Sequence, residues 1–259
     1  MGRYLDRDIV DWYRAHTTLF PSEHAFLADL ERRPARRLLD AGVGAGRTTE
    51  YFAGLADEYV GLDFSPAMVD VCRTRFPDVR FEVGDVRDLS HFSDDEFDVV
   101  LFSFNGIDSV GGDSARQRAF GELRRVCASG GRLFFSSKNL NQLPDDRRLS
   151  VQIRRALAAD DAAAVPLRVA RGAGRFARAR ALNPSARRIM SRGGGLVADD
   201  RDGRQILRHY YVRPDVQVSQ LQALGFSEIE VYGMDGERVA SDQLTRVRGW
   251  WLHYLCRST

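Results

Sequence analysis

Between residues 36 and 137, short apolar runs alternate with stretches of helical periodicity, and this rhythm limits the possible folds more than any other feature of the chain. The runs are Arg36 to Asp40, Tyr59 to Asp63, Val79 to Gly84, Phe97 to Ser103 and Arg132 to Ser137. Each has the length of a strand, and the intervals leave room for crossover helices, so the pattern predicts βαβ units around a parallel sheet with right-handed connections. The helix ends are marked too. Ser65 before Pro66 reads as an N-cap with proline at the first helical position. Ser114 to Ala128 carries Phe120, Leu123 and Val126 at helical spacing and stops before Gly130-Gly131.

Residues 139 to 206 break the rhythm. An amphipathic helix is predicted around Leu149 to Ala159, followed by an Ala/Arg/Gly-rich stretch and Gly193-Gly194-Gly195, which together read as an insertion covering a site. The α/β pattern resumes from Arg213, with a helix through Leu224 ended by Gly225, a strand from Ser227 to Tyr232 and a last strand near Trp250 to Cys256. The expected division is an N-terminal helical segment (1–35), a core (36–138 and 208–259) and an arginine-rich cap (139–207). With 259 residues, 44% of them hydrophobic, the chain can bury an ordinary core.

No apolar run approaches the roughly 20 residues of a membrane-spanning helix, so a cytoplasmic protein without a membrane partner is expected. Cys72, Cys127 and Cys256 are far apart and read as core residues, and no metal site is expected. Basic and acidic residues nearly cancel, 38 against 36, and Lys138 is the only lysine. That arginine bias points to a bacterial source with a GC-rich genome. From Arg147 to Arg208, fifteen arginines face five acidic residues, a local charge of +10 in a chain of net +2. The excess fits a solvated cap, a receptor for a carboxylate- or phosphate-bearing substrate, or a nucleic-acid surface. The small overall charge and the lack of an appended RNA-binding module argue against nucleic acid.

Function enters at the first predicted turn. Asp40-Ala41-Gly42-Val43-Gly44-Ala45-Gly46 falls where the first strand passes into the first helix, and its glycines admit a ligand that a β-carbon would exclude. A dinucleotide site prefers Gly-x-Gly-x-x-Gly, which would put the third glycine at Arg47; here it comes at Gly46, an arrangement better suited to a ligand without a pyrophosphate. Asp63 ends the second strand, within reach of a ribose diol. Asp85 ends the third, where it can accept from a purine amine. Taken singly, each glycine fits a tight turn and each aspartate a solvated strand end. Their joint placement is what carries the reading.

These residues resemble the motifs of the class I S-adenosylmethionine-dependent methyltransferases, over roughly residues 36 to 137 and 208 to 257. Asp40 to Gly46 is similar to the family's first motif, Gly61-Leu62-Asp63 to its ribose-binding motif and Gly84-Asp85-Val86 to its adenine-binding motif. Phe97-Asp98-Val99-Val100 through Asn105, and Gly130-Gly131-Arg132-Leu133-Phe134-Phe135, resemble the later strand motifs. The resemblance implies a doubly wound, Rossmann-like α/β fold with a seven-stranded sheet whose last strand is antiparallel, and S-adenosylmethionine as cofactor. It also implies that Asp40 belongs to the cofactor site, that Gly42, Gly44 and Gly46 line the methionine portion, that Asp63 holds the ribose, that Phe64 or Met68 packs on adenine, and that Asp85 with Val86 reads its amine. Ser103 would lie beneath the methionine carboxylate, with Tyr13 covering the cofactor from the N-terminal segment.

The methyl acceptor should sit beyond the carboxyl ends of the strands, against the N-terminal segment, the 103–110 turn and the insertion. Candidate contacts are Trp12, His16, Asn105, Asp108 and Tyr211, with His209 and Tyr210 as candidate acid–base residues. The expected reaction is methyl transfer to an O, N or nucleophilic C of a small molecule, an aromatic or heterocyclic specialised bacterial metabolite. Alternatives are an RNA-modifying methyltransferase using the basic insertion and a non-catalytic cofactor-binding module; a nicotinamide oxidoreductase fits less well because of Gly46. Whether the chain is a monomer or a homodimer stays open.

Overall fold

Side chains alternate along the predicted strands, and in the computed structural model that alternation sorts them onto two faces of one sheet. The structure describes residues 7–143, 157–158, 165–199 and 207–259. Five strands run in parallel: β1 (Ala35–Asp40), β2 (Ala56–Asp63), β3 (Arg80–Val83), β4 (Phe97–Phe102) and β5 (Cys127–Lys138). β8 (Phe226–Tyr232) and β9 (Trp251–Ser258) complete the sheet in the order β3-β2-β1-β4-β5-β9-β8, with β9 antiparallel to both neighbours. This is the seven-stranded doubly wound architecture, with its last strand reversed, that the family resemblance implies.

On one face lie Leu38, Val99, Leu101 and Phe134, covered by α2 (Pro21–Arg32), α3 (Thr49–Phe52) and α4 (Pro66–Arg75). Phe26 of α2 stacks on Phe134 with ring centroids 4.5 Å apart. Leu39, Val100, Phe102, Leu133 and Phe135 face the other way, under α5 (Asp113–Val126) and α8 (Pro214–Ala223). Burying an apolar residue on each face is what makes these strands read as continuous hydrophobic runs. All three cysteines are buried in these layers. No helix among the described residues is long and apolar enough to cross a membrane.

Two features outside this frame shape the site. α1 (Arg7–Ala15) lies across the glycine-rich turn and the start of α4, with Val10 packed against Ala45 and Met68. Beyond β5, α6 (Val165–Leu182) and α7 (Ala186–Arg192) lead into a hairpin of β6 (Gly194–Asp199) and β7 (Leu207–Val212). The Gly193–Gly195 triplet is therefore a helix stop, Gly193 at φ +75°, followed directly by a strand. Residues 208–212, which the expected division placed in the core, pair with β6 outside the central sheet, and Val212 bridges to Asn139 just past β5. The helix predicted around 149–159 lies almost wholly outside the described residues.

Candidate functional site

The chain order reverses between β1 and β4, and the loops leaving the carboxyl ends of the two strands part to form a cleft of about 680 Å³, partly open to solvent. Its floor is set by close packing. The Phe102 ring, at the end of β4, is wedged between the α-carbons of Gly42 and Gly106; a β-carbon on either would come within 2.3 Å or less of it. Glycine at both positions lets the two loops meet over the ring. The turn after β1 then swings through Gly44 at φ +55°, and its amide is returned to the sheet.

That amide donates to Asp63 Oδ2 at 3.0 Å, and Ser65 N donates to Oδ1 at 2.9 Å. Each carboxylate oxygen keeps a further acceptor position. Burial raises the Asp63 carboxyl pKa, and the two amides only partly counter it. A buried carboxylate in a cleft with acceptor capacity to spare fits the vicinal hydroxyls of a ribose. A β-carbon on Gly44 would project toward the Tyr13 ring, 3.8 Å away, so the turn leaves backbone open to a ligand. Phe64, Met68, Val86 and Val110 supply apolar walls of the kind a purine needs. The residues present fit S-adenosylmethionine.

Nine sequence candidates line this cleft: Tyr13, Gly42, Gly44, Asp63, Phe64, Met68, Asp85, Val86 and Ser103. Two of them carry partners the sequence did not disclose. Asp85 is gripped by Arg87, whose Nε lies 2.9 and 3.0 Å from its oxygens; that bond above all holds the carboxyl below its usual range. Ser103 donates its hydroxyl to Glu23, so that oxygen faces a carboxylate of the protein itself. Two expected cofactor residues lie elsewhere. Asp40 is buried beneath the turn, accepting from Thr48 Oγ1 and from Tyr59 Oη at 2.9 Å, with burial pushing its carboxyl up to about 6. Gly46, at φ +80°, turns its α-carbon to Phe76 and Cys72, not to the cleft. Both shape the loop and do not line it.

The acceptor-side candidates divide more sharply. Trp12 is 47% exposed and stacks on His16 at 3.8 Å, and its ring lies 6.1 Å from that of Phe104 at the cleft rim. His16 Nδ1 donates to Trp12 O. Asn105 is buried; its amide donates to Ser136 Oγ at 2.7 Å, and its Oδ1 has no hydrogen-bond partner among the described residues. Asp108 is fully buried away from the lining, accepting from Ser137 Oγ and Lys138 N, 3.7 Å from Arg116. Tyr211 is core, clustered with Leu140, Leu143 and Val197.

The two acid–base candidates must be corrected. His209 and Tyr210 sit on β7, opposite Val197 and Leu196, and neither lines the cleft. Tyr210 donates its hydroxyl to Asp113, and Arg116 lies 4.8 Å over its ring. Burial and the Asp113 bond raise the phenol well above its ordinary value, the reverse of a poised base. Alternation along β7 decides this: it aims Tyr210 at α5 and Tyr211 into the hairpin core.

What sequence reasoning missed is a buried ion pair behind the cleft. Arg47, placed where a dinucleotide site would have its third glycine, donates from Nη1 to Glu23 Oε2 at 2.7 Å and from Nη2 to Oε1 at 2.6 Å. It also reaches Thr18 O and Ser103 Oγ. Glu23 in turn accepts from Phe20 N. Burial, the largest influence on Glu23, pushes its carboxyl up, but the Arg47 and Ser103 bonds overcome it and the net shift is downward. The pair ties α2 to the glycine-rich turn and to the end of β4. An arginine directly after the glycine run was the available signal.

Residues 39–135 match the model of a methyltransferase domain. The demethylmenaquinone methyltransferase of Renibacterium salmoninarum is 38% identical over 100 residues, 39% of this chain and 40% of that one. Matches to the curated relatives named demethylmenaquinone methyltransferase thus span half of their length or less. An S-adenosylmethionine-dependent methyltransferase structure from Mesorhizobium loti superposes with a TM-score of 0.57 at 19% identity, covering 92% of this chain and 97% of that one. A DhpI–SAH complex superposes at 0.51 and 19% identity over 100% and 98%. The fold is shared across nearly the whole chain, whereas the methyltransferase-domain model matches residues 39–135.

Proposed function

We propose that this chain, whose residues 39–135 match the model of a methyltransferase domain, is a class I S-adenosylmethionine-dependent methyltransferase that transfers the cofactor's methyl group to an O, N or nucleophilic C of a small molecule. The acceptor we propose is an aromatic or heterocyclic bacterial metabolite of specialised metabolism. The observation that carries the reading is Asp63, a cleft carboxylate held by two loop amides with acceptor capacity left over. The acceptor class rests on the rim, where Tyr13 and Phe104 present rings and Trp12 lies beside them. The relatives' name, demethylmenaquinone methyltransferase, makes a quinone-derived ring a natural first compound to try.

When bound, the sulfonium supplies a methyl group already attached to a good leaving group. The chain's own task is to bind, align and desolvate. Asp63 holds the ribose end, the Gly42 and Gly44 backbone admits the methionine end, and the aromatic rim excludes water while keeping the acceptor in line at about 3–3.5 Å. Asp63 and Asp85 are committed to the cofactor side, and His209 and Tyr210 lie off the cleft, so positioning carries most of the rate. We place the N-terminal segment and the part of the cap that spans residues 165–199 on either side of the acceptor. The protein would act in the cytoplasm as a monomer or homodimer, without nucleic acid.

Calorimetric titration with S-adenosylmethionine, followed by incubation with methyl-labelled cofactor and bacterial extract, tests this. Saturable cofactor binding and label in a small molecule are expected. A folded protein that binds no cofactor, or that labels RNA alone, would overturn it.

A further inference from the structure

Phe104 has the cleft backbone least explained by folding alone. Its φ is +56°, and the next residue, Asn105, is also left-handed at +62°. Asparagine tolerates that region through its short polar side chain; phenylalanine does not, because its β-carbon crowds the carbonyl with nothing in return. A glycine or a second asparagine would make the same turn without strain. Strain of this sort persists where the surroundings over-determine it, and it gathers at ligand sites.

The ring is therefore what the strained turn delivers. It lines the cleft, half-buried, with Phe20 stacked at 5.8 Å, Tyr13 edge-on at 5.8 Å and Trp251 edge-on at 6.2 Å. Arg47 lies 5.2 Å from its centroid, but that charge is already matched by Glu23. Trp251 Nε1 is buried and has no hydrogen-bond partner among the described residues. On the cleft side the surroundings thus offer the rings of Phe104 and Tyr13, and the Arg47 charge beside them is matched by Glu23.

We propose that Phe104 is the platform on which a planar ring of the methyl acceptor stacks, and that it sets the preference for aromatic over saturated acceptors. The proposal rests on the methyltransferase reading and deepens it. Aromatic pairs gain from offset or edge-on contact beyond the area they bury, which a saturated ring of equal size forgoes.

The test uses 1-naphthol and its saturated analogue decahydro-1-naphthol, titrated calorimetrically into protein saturated with S-adenosylhomocysteine. The parent should bind 1-naphthol roughly tenfold more tightly than the analogue. Phe104→Leu keeps an apolar side chain and should erase that preference while S-adenosylhomocysteine affinity stays within about twofold. No preference in the parent, or a preference that survives Phe104→Leu, overturns the proposal. Failure of S-adenosylhomocysteine to bind the parent would sink the methyltransferase reading instead. The strain has its own readout: Phe104→Gly should melt about 2–4 °C above Phe104→Ala, the reverse of the order at an ordinary position. Alanine melting higher would overturn the claim that the backbone is held against its preference.

Discussion

Two arginine–carboxylate pairs flank the cleft, and they differ in almost everything except chemistry. Glu23 and Arg47 are drawn from α2 and the glycine-rich turn, bond bidentately, and are 0% and 8% exposed. Asp85 and Arg87 are two residues apart on one loop, bond with comparable geometry, and are each about a third exposed. The first pair exists only because the fold brings residues 24 positions apart together in a dry place; the second could form in a short peptide. In water, competing hydration and screening leave little net gain. In the interior the pair offsets a desolvation cost that either partner alone could not meet. The same side chains thus act as a structural clamp in one region and as a local arrangement of the cofactor wall in the other.

The largest expected effect tests the clamp. Glu23→Gln leaves Arg47 buried without its counter-charge and should cost about 3–5 kcal/mol in urea unfolding. A loss below about 1 kcal/mol would make the interior pair no different from the exposed one. Because the Glu23 carboxyl lies below its ordinary value when folded, its contribution is present above the unfolded value and is lost as pH falls through the folded one.

Asp40 should behave in the opposite sense. Burial pushes it up to about 6, so the folded protein holds that proton more tightly than the unfolded chain does. Its contribution is full below about pH 4 and is lost as pH rises through 6, by up to about 3 kcal/mol. Asp40→Asn should flatten that part of the stability profile; a profile parallel to the parent's would mean the carboxylate is not desolvated.

The cofactor wall comes next. Asp63→Ala should weaken S-adenosylmethionine binding by about one to two orders of magnitude in calorimetry, as expected for a lost charge-assisted acceptor. Unchanged affinity in a folded protein would move the ribose elsewhere. Smallest of all, Arg87→Gln should shift stability by less than about 1 kcal/mol and cofactor affinity by less than about fivefold. A larger change would show that Arg87 itself, despite its exposure, takes part in holding the cofactor.

The central strands and the loops that line the cleft were legible in the sequence because they rest on backbone. Period-2 and helical patterning follow from local geometry, and the Gly42–Gly44 turn and the strand-end aspartates Asp63 and Asp85 are placed by chain direction alone. Asp40 and Gly46 were read into the cleft because a motif gives spacing and not facing; one amounts to a buried anchor, the other to a helix-side turn.

The acceptor side was harder, and the reason is physical. Whether Tyr210 or Tyr211 meets the cleft depends on which hairpin carries them, and no local signal announced that 207–212 would pair with 194–199. Glu23 and Arg47, Phe104 and Trp251, Tyr210 and Asp113 are contacts between segments far apart in the chain. What the sequence determined by itself was the succession of the central strands and their helices and the glycine-rich turn at the cleft, since those depend on residues a few positions apart. Only the tertiary structure decided which charges are dry, which rings meet and which candidates are turned away, because dehydration and ring contact are properties of surroundings assembled from the whole chain.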